Sequence, residues 1–292
     1  MKLTNGFYTA LGTPLDNEGN LVANSLKKHL EQQIEIGASG LLLMGSMGIE
    51  AYLKNSTFKE AARVAAETVN GRTPLFVGAM DNSIAKVMEK IDMLNGLNID
   101  GVVLTTPFYA TLTDAEVVNW FSTIADKSPF PIYLYDLAVV TKTKIKLCAL
   151  EKLINHKNIK GIKTVDWEMI QAVGRKFPDA DFECLYSGLD NFDYANMMGI
   201  TKNLDGMFCC TPKNGKAAFD CIKADDLKGA RVHLDNILLM RDTMISLGLM
   251  RSFTYLMNEL GFEGNFHQDY TLPLSDETKA ILKATMTKIG EL

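Results

Sequence analysis

Short apolar runs alternate with longer amphipathic segments along most of the chain. Runs at 7–13, 40–46, 74–80, 101–107, 131–136, 159–165, 183–188 and 206–210 are rich in apolar residues and bounded by Gly, Pro or Asp. That pattern predicts strands buried on both faces, as in a parallel sheet. Between them, helical spacing recurs. Leu26, Leu30 and Ile34 stand four apart within 25–37, segment 56–70 carries Glu60, Ala61 and Ala65, and 83–96 repeats Ile84, Val87, Met88 and Ile91. Each predicts a helix that buries one face. Asp114 and Asp190 are the expected N-caps of two later helices.

Eight such alternations within about 220 residues predict a closed (β/α)8 TIM barrel. The alternative is an open doubly wound sheet, but the first strand–helix junction lacks the G-x-G-x-x-G fingerprint of its dinucleotide-binding form. From residue 224 no strand pattern remains, and 225–249, 253–260 and 275–289 read as appended helices. The division is therefore a barrel over 1–223 and a helical extension of the same domain over 224–292.

Composition narrows the function more than the fold. Of the 292 residues 47% are apolar, and the net charge is −5 with basic residues scattered, so no footprint for nucleic acid is expected. No apolar stretch suggests a membrane span, and no secretory leader is evident, so a cytoplasmic protein is expected. The five cysteines fit neither a zinc site nor a CxxC pair and read as reduced, buried thiols. The four histidines lie far apart in sequence, and no metal is expected.

In a barrel of this kind chemistry sits at the carboxyl ends of the strands. The sixth predicted strand reads Ile159-Lys160-Gly161-Ile162-Lys163, and period-two alternation puts Ile159, Gly161 and Lys163 on one face. If that face points inward, Lys163 enters the barrel mouth; a desolvated lysine is nucleophilic near neutrality, as imine chemistry requires. The alternative is a strand-end lysine that reaches water. The fifth strand puts Tyr133 and Tyr135 on one face, either as a proton relay or as core aromatics. The second ends in Gly45-Ser46-Met47-Gly48, either an anion cradle of backbone N–H groups or a plain turn. The fourth ends in Pro107-Phe108-Tyr109, a pocket wall or an interface anchor.

In this order along the chain, these pieces resemble the dihydrodipicolinate synthase / N-acetylneuraminate lyase superfamily. Thr13-Pro14 ends strand one; Gly45-Ser46-Met47-Gly48 is similar to G-[ST]-T-G, Pro107-Phe108-Tyr109 to P-Y-Y, and Tyr135-Asp136 to Y-N. Gly161-Ile162-Lys163 is similar to G-x-K, Ser187-Gly188-Leu189-Asp190 to S-G-x-D, and Gly206-Met207-Phe208-Cys209 to G-x-I-S. The resemblance implies an imine between Lys163 and pyruvate or another 2-keto acid, with Tyr135 relaying protons. It implies that Ser46 hydrogen-bonds Tyr135 and that Tyr109 of a neighbouring subunit completes the relay, in a homotetramer built from dimers. It implies further that the N–H groups of Ser46 and Met47 hold the keto-acid carboxylate, that Gly188 and Phe208 line the pocket, and that Asp190 faces the rest of the substrate. No cofactor is implied beyond the covalent imine.

The departures shape the substrate. Met47 stands for the family's Thr, Ile49 for its Glu, Asp136 for its Asn and Ala138 for its Pro. Val140 stands where dihydrodipicolinate synthases carry an arginine for the carboxylate of aspartate semialdehyde, and Val165 where sialic acid lyases carry a threonine. The expectation is a pyruvate-dependent lyase or aldolase whose aldehyde partner is neutral or hydroxylated. The alternatives are a dihydrodipicolinate synthase with altered substrate anchoring, a dehydratase using the same imine, and a keto-acid-binding protein of the same fold without turnover.

Overall fold

The computed structural model describes residues 2–292. Eight parallel strands close a barrel in sequence order: β1 Gly6–Ala10, β2 Gly40–Leu43, β3 Leu75–Gly78, β4 Gly101–Thr105, β5 Ile132–Tyr135, β6 Ile159–Thr164, β7 Glu183–Tyr186 and β8 Lys202–Asp205. The (β/α)8 expectation holds. Alternate strand residues split between two cores. Tyr8, Ala10, Leu42, Phe76, Val103, Tyr133, Tyr135, Leu185 and Leu204 fill the barrel interior. Leu41, Leu43, Val102, Leu104, Ile132, Leu134, Ile159 and Ile162 pack outward against the helices.

Three local readings change. The strand expected at 206–210 lies earlier, at Lys202–Asp205, and Met207–Cys209 form a 3-10 turn. The apolar run there is buried beneath helices rather than in the sheet, so burial without strand geometry produced the misleading signal. Ile159 does not share a face with Gly161 and Lys163. The register slips between Ile132↔Ile159 and Tyr133↔Gly161, so Lys160 is an extra residue and the alternation changes phase, as at a β-bulge. Neither expected aspartate cap holds. Thr113 caps Asp114–Lys127 in a capping box with Glu116, leaving Asp114 as the first helical residue, and Asp190 lies inside the 3-10 turn Leu189–Asn191.

After the last barrel helix, Pro212–Lys223, the chain forms helices Leu227–Leu247, Leu249–Glu259 and Asp276–Lys288. The first of these packs along Pro212–Lys223 and carries Arg241 toward the mouth. The segment beyond Glu259 returns to the loop after β1 through paired backbone bonds between Leu15 and Asn265 (2.8 Å each), which brings Gln268 to the mouth. Cys209 and Cys210 are buried, Cys184 and Cys221 half-buried, and Cys148 exposed, so the expectation of five buried thiols fails at Cys148. Among the described residues no helix is long and apolar enough to cross a membrane.

Candidate active site

The phase change in β6 decides which lysine enters the barrel. Lys163 is 6% exposed, pairs in register with Tyr135, and holds its ammonium 4.0 Å from the centroid of that phenol ring. A cation over a ring face is attracted by the ring's quadrupole, which orients the amine. Tyr133 fills the barrel one layer below. A Cβ at Gly161 would stand 2.7 Å from its ring and one at Gly101 2.8 Å, so both glycines are required by that ring. Lys160, three residues earlier, pairs instead with Asp181 at the amino end (2.5 Å).

Tyr135 is nearly buried, and its hydroxyl lies 3.5 Å from the exposed Ser46 Oγ. That separation is at the long limit of a hydrogen bond. Ser46 belongs to the turn after β2. Thr13 Oγ1 donates to the Gly48 carbonyl (2.8 Å), and a Cβ at Gly48 would stand 2.8 Å from Met44 Cα. Left-handed residues bracket the turn, Met44 at φ 53° and Ile49 at φ 48°. A β-branched residue held there stores about 1–3 kcal/mol of strain. Met47 reaches across to the residue after β8, where a Cβ at Gly206 would stand 2.9 Å from its Cγ.

The side chains of the remaining residues singled out from the sequence make no hydrogen bond to Lys163, Tyr135 or Ser46 among the described residues. Asp190 is gripped by Arg241 in a fork of two bonds (2.6 and 2.9 Å), which holds its carboxyl below the usual range. Gly188 is half-buried against Tyr186, whose hydroxyl a Cβ would meet at 2.2 Å. The Phe208 side chain is fully buried among Phe7, Phe192 and Phe219. Tyr109 is 93% exposed; its N–H, like that of Phe108, donates to Asn82 Oδ1 (2.9 Å). Asp136 forms a structural clamp, accepting from the Lys144 ammonium, from Thr164 Oγ1 (2.9 Å) and from the Ile145 N–H (3.1 Å).

Two acids at the mouth escaped sequence reasoning. Asp205 ends β8 and accepts from the Met207 N–H (2.8 Å). Burial pushes its carboxyl up, opposed by that N–H and by the charge of Lys163. Its signal was hidden by the misplaced strand. Glu50 is 2% exposed. Its Oε1 accepts from Lys90 Nζ (2.7 Å), which also donates to the Met80 carbonyl (2.7 Å) and meets Asp81 at 3.1 Å. Burial pushes the Glu50 carboxyl up to about 7, against the pull of Lys90. Its only signal was its place immediately after Ile49, one position beyond the glutamate that the motif calls for.

Two cavities open at the mouth, with Leu137 bordering both. One, of about 290 Å³, lies among Ser46, Glu50, Met80, Thr105, Val140 and Gln268, and no lysine or arginine lines it. The other, of about 350 Å³, borders Tyr135, Asp136, Lys144, Asp166 and Ser187. Among the described residues no three His, Cys, Asp or Glu side chains gather as a metal site requires.

The model of the dihydrodipicolinate synthetase family matches residues 3–289. A 4-hydroxy-tetrahydrodipicolinate synthase of Acidiphilium cryptum is 25% identical over 294 residues, covering 98% of this chain and 99% of that protein. The same-named protein of Gluconobacter oxydans is 30% identical over 212 residues, 70% of this chain and 71% of its own. A prophage protein of the dihydrodipicolinic acid synthase family from E. coli K12, solved in complex with pyruvate, superposes with a TM-score of 0.88 at 20% identity, over 99% of each chain.

Proposed function

This chain belongs to the dihydrodipicolinate synthetase family, and on that premise we propose that it is a lyase that joins pyruvate to, or releases it from, a neutral or hydroxylated aldehyde through an imine on Lys163. The supporting observation is the buried amine of Lys163 beside Tyr135, with the Tyr135 hydroxyl facing Ser46. Lys163 Nζ adds to C2 of pyruvate, and the carbinolamine loses water to give the imine. Loss of a proton from C3 gives an enamine, because the imine nitrogen accepts the electron pair. C3 then bonds to the aldehyde carbon, the new alkoxide takes a proton, and water hydrolyses the imine to free product and lysine. In this reading Tyr135 carries protons in these steps, and the N–H groups of Ser46 and Met47 receive the keto-acid carboxylate.

The neutral partner follows from the cavity beside Ser46, which offers no cation. The two lysines able to replace the missing arginine are otherwise engaged: Lys144 is held by Asp136 and Asp166, and Lys142 bonds the Val139 carbonyl (3.0 Å) from an exposed position. A second reading, synthesis from aspartate semialdehyde, is favoured by the names of the relatives. A homotetramer belongs to the same proposal: Tyr109 makes no contact with its own Tyr135, so a relay that includes it needs a neighbouring chain.

Borohydride reduction in the presence of pyruvate tests the core claim. One covalent adduct on Lys163 is expected by mass spectrometry; an unmodified Lys163 overturns it and leaves a binding protein at most. Side-by-side assays with glyceraldehyde and aspartate semialdehyde test the partner, a higher kcat/KM for the acidic aldehyde favouring the second reading. Val140→Arg should shift that ratio about tenfold toward the acidic aldehyde. Light scattering tests the assembly, and a fully active monomer contradicts it.

A further inference from the structure

The turn that carries Ser46 and Met47 is held from two sides. Its backbone enters the left-handed region at Met44 and again at Ile49, a conformation that neither side chain favours. Its own bonds are long: the Ile49 N–H donates to the Ser46 carbonyl (3.1 Å) and the Glu50 N–H to the Gly45 carbonyl (3.4 Å). A segment bent in this way keeps its shape only where its surroundings over-determine it. Thr13 supplies one hold, through the Gly48 carbonyl. Glu50, two residues further on, supplies the other. Its buried carboxyl accepts from Lys90 Nζ (2.7 Å). Lys90 comes from the helix Ile84–Met93, is itself largely buried, and donates to the Met80 carbonyl just beyond β3 (2.7 Å). Asp81, at 3.1 Å, holds the same ammonium. One nitrogen thus joins the turn after β2 to the end of β3. β3 also presses on the turn directly, since the Met44 carbonyl leaves no room for a Cβ at Gly78. Exposed ion pairs fix little, whereas removing one partner of a pair closed to water has a large effect. With no side-chain surface open to solvent, Glu50 acts through the turn rather than by touching a substrate.

We infer that Glu50 and Lys90 are positioning residues: their contact fastens the turn to β3 and so aims the N–H groups of Ser46 and Met47 at the keto-acid carboxylate. The inference rests on the imine reading above and deepens it by naming what holds the carboxylate cradle in place. The physical reason is the narrow tolerance of such a cradle. A hydrogen bond weakens steeply with distance and angle, and a misplacement of about 1 Å from a change outside the reacting groups can cost about 10²-fold. Without the Lys90 contact, Ile49 is free to relax toward an ordinary φ and to carry Met47 and Ser46 with it. Thr13 still holds Gly48, so the cradle is loosened rather than lost. The loss falls on pyruvate affinity and not on the reactivity of the amine. Lys163 and Tyr135 stand on other strands, and neither forms a hydrogen bond with Glu50 or Lys90.

The test is borohydride trapping of pyruvate on Lys163 across a range of pyruvate concentrations, which needs no aldehyde. Mass spectrometry gives the concentration for half-maximal adduct and the adduct at saturation, and a thermal melt is run beside it. Glu50→Ala and Lys90→Met should each raise the half-saturating concentration by about 10-fold, while the adduct at saturation stays near that of the wild type. Glu50→Gln keeps an oxygen for Lys90 and should return to within about threefold of the wild type. The double variant should be no worse than either single one, as for two residues that act through one contact. Lys86→Met, on the same helix but exposed, should change nothing. A purely structural pair would lower the thermal midpoint and leave half-saturation where it was; that result overturns the inference while the imine reading stands. Should one single variant fail to fold, the other decides. If wild-type Lys163 takes no adduct, the imine reading falls and the inference falls with it.

Discussion

The two ends of this barrel both carry cavities and buried charge, and they differ in what is left unpaired. The amino-end cavity is the larger, about 370 Å³ among Ile170, Phe182, Glu183, Cys184 and Lys202, against about 290 and 350 Å³ at the mouth. Yet its half-buried charges, Glu183 and Lys202, are matched. Glu183 accepts from the Leu3 N–H (3.1 Å) and meets Lys202 at 3.1 Å. None of the unpartnered buried side-chain atoms among the described residues belongs to a residue lining it. At the mouth, by contrast, lie a buried amine over a phenol, an acid raised by burial, two orphan oxygens and a strained isoleucine. Volume alone would choose the amino end. The proposed chemistry lies where polar groups remain available and backbone strain is tolerated.

Substitutions at the two ends sharpen that contrast. The largest effect is expected from Lys163→Ala, with kcat/KM down by about 10³-fold or more and no borohydride adduct by mass spectrometry. Lys160→Ala, on the same strand, should retain the adduct. Tyr135→Phe should lower kcat by about 10²- to 10⁴-fold in steady-state assays, the range for loss of a proton-transfer group, while its buried ring keeps the thermal midpoint near that of the wild type.

A stability measurement probes Glu50. Its folded carboxyl titrates at about 7, above the ordinary value of 4.5. Between those values the folded state keeps a proton that the unfolded chain releases. The associated stability is therefore fully present below pH 4.5 and lost as pH rises through 7. Lys90, Asp81 and Lys86 face the same cluster and set its field. Urea denaturation should show a decline on the order of 3 kcal/mol across that window, and Glu50→Gln should flatten it. The smallest effect on turnover is expected at the amino end. Lys202→Met should cost about 1–3 kcal/mol of stability, since Glu183 is left without its cation, and change kcat by less than about twofold. A large loss of kcat there would erase the distinction between the two ends.

Most of the barrel could be read from periodicity because β1 to β5 are fully buried runs dominated by apolar residues, and β6 and β7 still carry apolar residues between Gly, Pro and Asp boundaries. The eighth was missed because Lys202-Asn203-Leu204-Asp205 is polar, while the next apolar residues, Met207, Phe208 and Cys209, are buried without being in the sheet. Lys163, Tyr135 and Ser46 were legible through the resemblance of their motifs, since strand parity counted from Ile159 would turn Lys163 outward, and the structure brings these three together. Glu50 was not. A glutamate in a strand–helix turn ordinarily reaches water, and only the tertiary approach of Lys90 and Met80 explains its burial. Thr105 and Thr106 are identical neighbours in sequence; both are buried, but only Thr105 lines the cavity with an unpaired hydroxyl.

The extra residue in β6 makes the inward lysine a matter of parity. Counting outward and inward from Ile159, a regular strand would turn residues 161 and 163 toward the helices and present 160 and 162 to the barrel axis. Lys160 absorbs one count, so the even–odd assignment inverts for everything that follows, and Gly161 meets Tyr133 while Lys163 meets Tyr135. The portable unit of this site is therefore the whole span Ile159–Thr164 with its miscount intact. A graft of Gly161-Ile162-Lys163 onto an evenly paired strand at the same distance from its start would deliver the amine to the outside of the barrel.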